Sequence, residues 1–244
     1  MNGSTARDRV RVGTFVALAV VLAAVFIRLG FWQLARLEQR RARNAHIASR
    51  LAEPVRAFDA SRDSASFSRV TLTGTPDYQN EIVLTGRSRN GSPGVHILTP
   101  VQRPNTDTAV VVLRGWVYAP DAASADLSRW HEARSEFHGY VMQLPPSTTA
   151  HSGSGRKLRA LSLPAVRGLL PYPVSAQYVV SQDTASDRTA ARLAAPALDD
   201  GPHLSYAIQW FSFAMIAIVG AAIVAFRARV SPDGNERGGQ RVGQ

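Results

Sequence analysis

From Leu204 to Phe226 the chain carries no charged residue, and Arg227 and Arg229 follow at once. A helix of that length crosses the hydrocarbon core of a bilayer, and the arginines read as its basic stop. The leading turns are not purely apolar: they hold His203, Tyr206, Gln209 and Trp210. Polar groups close to lipid are costly, so a histidine and a glutamine there ask for a role.

Val12 to Ile27 forms a second uncharged run, preceded by Arg7, Arg9 and Arg11 and interrupted by Arg28. A basic start followed by such a run also fits a cleavable signal peptide. The helical apolar pattern continues from Gly30 to Leu37, and no small-x-small site is followed by a loop, which favours an uncleaved anchor. Two spans leave both termini on one side. Asp199 and Asp200 precede the second span, whereas Arg227, Arg229, Arg237 and Arg241 follow it. Basic residues close to a span favour the cytoplasm, so both termini are expected there and the intervening domain outside. The expected layout is a cytoplasmic tail (1–11), a first transmembrane helix (12–34), an α+β periplasmic domain (35–202), a second transmembrane helix (203–226) and a basic cytoplasmic tail (227–244). From Ser231 onward that tail is rich in Gly, Gln and Arg and reads as disordered.

The formal net charge of +10 comes almost wholly from arginine, since Lys157 is the only lysine in 244 residues. Nucleic-acid binding needs a basic stripe on one face. Here the arginines are scattered and gather at the membrane edges, which points to anionic lipid headgroups instead. The absence of cysteine excludes disulfides, thiolate metal sites and a cysteine nucleophile.

Between the spans the helical pattern persists to about Arg50, and Glu53-Pro54 ends it. The period then shortens to two. Val70–Thr73, Glu81–Thr85, Val95–Thr99, Ala109–Leu113, Gly139–Leu144 and Ala176–Val180 read as strands separated by turn signals. Two short helices are expected, one over Ser124–Glu136 and one capped by Ser162 with Pro164 near its first turn, running to about Leu170. Ser147 to Arg156 reads as a polar loop. The class is α+β: two transmembrane helices flanking a mainly antiparallel β domain.

Motifs of enzyme chemistry are missing. The chain has no GxxxxGK[ST], no HExxH and no GxSxG, and Gly153–Lys157 is only superficially a phosphate loop. No histidine pair at i, i+4 offers a metal site, and His131 and His138, seven apart, are a weak signal. His96 lies in a strand without a ligand partner in sequence and reads as a hydrogen-bonded histidine. Arg114-Gly115-Trp116 follows an apolar strand and admits two readings. One is a strand-end arginine and tryptophan that meet an anion or a partner. The other is a buried ion pair beside a glycine bulge and a core tryptophan. Arg28, at the end of the first span, either snorkels to headgroups or pairs with a functional anion. His203, Tyr206, Ala207 and Trp210 share one helical face. That face suits an interfacial aromatic belt, or a flat apolar macrocycle with the imidazole as iron ligand.

Three motifs, in order, carry a family resemblance: Gly30-Phe31-Trp32-Gln33-Leu34-Ala35-Arg36; Val70–Gly74 with Gly94–Pro100 and Leu113–Val117; and His203–Phe211. With the two-anchor layout, the chain resembles the surfeit-locus family of cytochrome c oxidase assembly proteins. The resemblance implies a non-enzymatic protein of the bacterial inner membrane that assists haem a delivery to, or insertion into, subunit I of a haem-copper oxidase. It implies haem a as transient cargo, with His203 as iron ligand. Tyr206, Trp210 and Trp32 would lie near the haem, and Arg28, Arg36 or Arg114 beside its propionates. Expected partners are oxidase subunit I, haem a synthesis or copper-delivery factors and membrane lipid, with no nucleic acid; Arg114, Gly115 and Trp116 are the candidate partner surface. The alternative is a haem-independent clamp that stabilises nascent subunits. A membrane-anchored hydrolase would need a convergent nucleophile and base that no motif supports. The resemblance is weakest from Asp121 to Asp200, and Tyr118-Ala119-Pro120 departs from a pattern in which proline follows the valine directly.

Overall fold

Two helices with apolar side chains turned outward set the architecture. A computed structural model describes residues 3–61, 65–146, 155–186 and 188–230. Most of the polar loop that begins at Ser147, the Gly153-Ser154 part of the phosphate-loop look-alike, and the tail from Ser231 lie outside the described residues. Helix α1 runs from Gly3 to Ala52 and helix α3 from His203 to Val230. Both are long and apolar enough to cross a membrane. Phe15, Val21 and Phe31 of α1 and Met215, Ile216 and Phe226 of α3 are exposed, as lipid-facing side chains would be. At 1.5 Å per residue α1 is about 75 Å long, well beyond a hydrocarbon core of about 30 Å. It ends at Ala52, beside the Glu53-Pro54 stop.

The residues divide into two units: α1 as far as Asn44 with the chain from Asp199 onward, and Ala45–Leu198. In the first unit the helices pack antiparallel. Ala207, Ala214 and Ala221, each one heptad apart, are buried on α3, and Ala19 and Ala23 are buried on α1. Small residues let helix backbones approach closely in lipid. Gly30 shows how closely: a Cβ there would lie 2.6 Å from the Phe211 ring. Phe26 stacks on Trp210 with centroids 5.7 Å apart, and Phe31 meets Phe211 edge-on at 5.4 Å. At the Asn44 end, Arg40 pairs with Asp199 at 3.0 Å and Arg41 with Asp200 at 2.7 Å. The hydrogen bond and charge of Arg41 hold the Asp200 carboxyl below its usual range.

The second unit is one sheet. Among the described residues its strands are β1 (Arg56–Ala57), β2 (Arg69–Thr73), β3 (Thr75–Pro76), β4 (Ile82–Arg89), β5 (Ser92–Gln102), β6 (Ala109–Tyr118), β7 (Glu136–Gln143), β8 (Lys157–Leu158) and β9 (Val174–Ser181). Their order is β1-β2-β7-β9-β6-β5-β4-β8, with β3 on β5. Pairing is mainly antiparallel, but β9 inserts parallel to β6. Short β1 and β8 also pair parallel, with β2 and β4. Every strand expected from alternation is present, most of them longer than expected. Helix α2 spans Leu163–Leu169; the Ser162 side chain accepts from the Ala165 amide, as the capping signal predicts. Ala165 and Val166 of α2 close one core with Ile82, Leu98, Val111 and Val180. A second core joins Val70, Leu72, Val110, Val112, Phe137 and Val179.

The helix expected over Ser124–Glu136 does not form. Only a 3-10 turn, Leu127–Trp130, is present, and Glu136 already belongs to β7. The reason is competition for the backbone. Arg114 Nη1 donates to the Trp130 carbonyl, and Tyr78 Oη both donates to the Glu132 carbonyl and accepts from its amide at 3.0 Å. Those groups serve tertiary partners and are not available for a helical ladder.

Gly139 lets β7 lie against β9. A Cβ there would fall 2.1 Å from the Val180 carbonyl oxygen, a backbone atom that cannot swing aside. Gly139→Ala is therefore expected to cost about 2 kcal/mol or more, as overpacking does. Thermal unfolding of the full chain in detergent checks this; an unchanged midpoint would contradict it.

Candidate functional site

Gly201 and Pro202 deliver His203 to the first turn of α3. Gly201 sits at φ +66°, and its amide donates to Asp199 Oδ1 at 2.8 Å. Pro202 then offers its carbonyl to the Tyr206 amide at 3.1 Å and to Ser205 Oγ at 2.8 Å, which starts the helix. The His203 imidazole points to α1, where its Nδ1 lies 2.9 Å from Gln33 Oε1. With the amide oxygen as acceptor, Nδ1 is the donor of this bond, and Gln33 does not engage Nε2. A ring held in this way is how proteins orient an imidazole that ligates a metal. Among the described residues Nε2 has no hydrogen-bond partner.

The other candidates on the helices divide into two groups. Trp210 is half-buried, stacked on Phe26 and edge-on to Phe213 at 6.0 Å, while Tyr206 is exposed. On α1, Arg28 and Trp32 line a groove of about 620 Å³ with Leu29 and Phe31. Arg28 makes no ion pair among the described residues, whereas Arg36 donates to Gln39 at 3.1 Å. The helix pair thus offers an imidazole bonded to Gln33, the exposed aromatic rings of Tyr206 and Trp32, and an arginine without an ion pair among the described residues. Gln33 was given no role from the sequence. Its signal was present, since it is an amide in an otherwise apolar stretch where polar groups are costly.

Arg114 shows the buried ion pair and the glycine bulge of the second reading, but not its core tryptophan. Between β5 and β6 the register slips: Ile97 faces Gly115 and Leu98 faces Leu113, so Arg114 is the extra residue of a bulge. Gly115 is required by a close neighbour, for a Cβ would stand 2.6 Å from the Ala191 carbonyl oxygen. The bulge turns Arg114 inward, where its side chain is 0% exposed. Nη2 meets Glu81 at 2.6 Å, Nε donates to Thr99 at 2.7 Å, and Nη1 lies 3.4 Å from Glu132. Arg192 and Arg134 each pair with Glu132 at 2.9 Å. His131 stacks on Tyr78, with centroids 4.1 Å apart, and reaches Glu81 at 3.2 Å. Of the proposed partner surface, the Arg114 side chain is thus engaged inside the domain, Gly115 is buried and Trp116 is half-buried.

Two further histidines, His138 and His96, lie in the sheet domain. His138 contacts Asp183 at 3.0 Å and Glu136 at 3.1 Å. His96 is partly buried in β5, and burial, with the nearby Arg87 charge, pushes its imidazole down to about 4. Among the described residues no group of three His, Asp or Glu could hold a metal ion.

The chain matches the sequence model of the SURF1 family over residues 20–215. A SURF1-like protein of Rickettsia felis is 24% identical across 83% of this chain and 92% of its own. A SURF1-like protein of Rickettsia conorii is 25% identical across 83% and 87%. The cytochrome oxidase assembly protein SHY1 of Saccharomyces cerevisiae is 29% identical across 50% of this chain and 34% of its own.

Removing Arg114 would leave two buried glutamates with one cation fewer. Arg114→Ala is expected to destabilise the sheet domain by about 3–5 kcal/mol, read as a lowered unfolding midpoint. His96 gives a pH dependence. Its folded pKa lies below the unfolded value of about 6.5, so its contribution is complete above that pH and falls away between about 6.5 and about 4. His96→Gln should flatten the stability curve in that window. An identical acid slope in the variant would refute the assignment.

Proposed function

This chain belongs to the SURF1 family, and from that membership we propose that it is a membrane-anchored assembly factor for cytochrome c oxidase, handling haem a as cargo on its way to subunit I. The family match and the name of the yeast relative support the oxidase. The observation that carries the haem reading is the bond of Gln33 to His203, which orients the ring and leaves Nε2 for an iron. A single, half-buried imidazole suits a carrier that must release what it holds. Arg28, in its groove with Trp32, is the cation offered to a propionate. The sheet domain lies on the periplasmic side of a bacterial inner membrane in this reading, because basic residues follow α3 and aspartates precede it. The domain is the part that meets the oxidase or its other assembly partners.

Co-expression with haem a synthesis, followed by a pyridine haemochrome spectrum of the detergent-purified chain, tests the proposal. The wild type should carry haem a, and His203→Ala should lose it. Gln33→Ala should retain the ligand but hold haem about 10–100-fold more weakly, the usual cost of removing a second partner of a ligating histidine. Normal haem occupancy in His203→Ala would end the ligand assignment. A folded wild type without haem would leave a clamp on nascent subunits as the working function.

A further inference from the structure

The helix pair carries another groove at its opposite end, where α1 begins and α3 finishes. Arg9, Val12, Gly13 and Val16 of α1 face Ala225, Ala228 and Arg229 of α3 across a space of about 540 Å³. An arginine from each helix lines it, together with small or apolar residues. Both arginines are exposed, and neither makes an ion pair among the described residues. The groove is open at Gly13, where a Cβ would meet nothing within 4 Å.

We propose that this groove binds one anionic phospholipid, with Arg9 and Arg229 on the phosphate and an acyl chain lying along Val12, Gly13 and Val16. The charge selects an anion. The apolar lining, continuous with lipid-facing helix surface, selects a molecule that has a hydrocarbon chain as well as a phosphate. Basic pockets between membrane helices recognise acidic headgroups by this combination of charge and shape. A lipid seated there contacts both helices at the end remote from Gln33 and His203, so the site stands or falls independently of the haem reading.

Native mass spectrometry of the full chain in detergent, titrated with phosphatidylglycerol or phosphatidylcholine, tests the inference. The wild type should retain one phosphatidylglycerol in preference to phosphatidylcholine. Arg9→Gln/Arg229→Gln should weaken that binding about thirtyfold, the loss expected for two arginines near a headgroup. Gly13→Leu keeps the charge but fills the groove, and it should weaken binding comparably. Arg129→Gln/Arg159→Gln removes the same charge from the sheet domain and should change nothing. Full retention by Gly13→Leu would overturn the proposal, since diffuse charge would then suffice. Equal binding of both lipids, or displacement of phosphatidylglycerol by inorganic phosphate at equal concentration, would overturn it as well.

Discussion

A guanidinium with no exposed surface has to be neutralised where it lies, and much of the sheet domain is arranged around that demand. Arg114 needs two carboxylates within reach, which come from Glu81, just before β4, and from Glu132. Glu132 can reach it only if the segment after the 3-10 turn stays extended, with its backbone held by Tyr78. Two carboxylates against one arginine would leave excess negative charge, and Arg192 supplies the balance while donating to the Arg114 carbonyl at 2.7 Å. The segment carrying Arg192 is fastened next to it, where Ala191 exchanges backbone hydrogen bonds with Trp116 at 2.8 and 2.9 Å. Such an ion network adds little net stability over an apolar core, yet it penalises any arrangement that leaves one member unpaired. Four separate stretches of chain are thereby tied to one place.

The helix pair is governed by a different constraint. In lipid, apolar contact between helices has little advantage over contact with acyl chains, so association relies on close packing and polar bonds. Ala207, Ala214 and Ala221 and the clasp of Gly30 on Phe211 provide the first. The Gln33–His203 bond and the arginine–aspartate pairs at the Asn44 end provide the second. His203 therefore helps to hold the helices: turning it away would cost a partly buried hydrogen bond.

Much of this was legible in the residues. The charge-free run from Leu204 to Phe226 announces α3, and the alternation at Val70–Thr73 and Val95–Thr99 announces strands, because burial on one face leaves a period of two. Ser162 with Pro164 names its helix through capping chemistry that is local in sequence. Ser124–Glu136 misled for the complementary reason. Its composition is tolerant of helix, and what decides its shape is bonds to Tyr78 and Arg114, far away in sequence. Gln33 is legible only as a costly polar group near lipid; which partner it serves comes from the histidine opposite. The bulge at Arg114 was one of two readings that the sequence left open; the register slip between Ile97 and Leu98 shows it, and the Ala191 carbonyl explains why position 115 is glycine.

The three motifs that carry the family resemblance can now be separated by what they do. Two of them meet: Gly30 and Gln33 of the first touch Phe211 and His203 of the third, so these stretches, far apart in sequence, form one surface. The middle motif folds on itself. Val95 pairs with Val117, His96 with Trp116 and Ile97 with Gly115, while Gly74 approaches the Gln102 carbonyl too closely for any side chain. Its glycines and arginine are explained by β5, β6 and the ion network without invoking any ligand. A substitution in the middle motif should therefore act through folding of the domain, and one at Gln33 or His203 through the chemistry of the helix pair. Loss of function from the two classes would have different physical origins even where the outcome for the oxidase is the same.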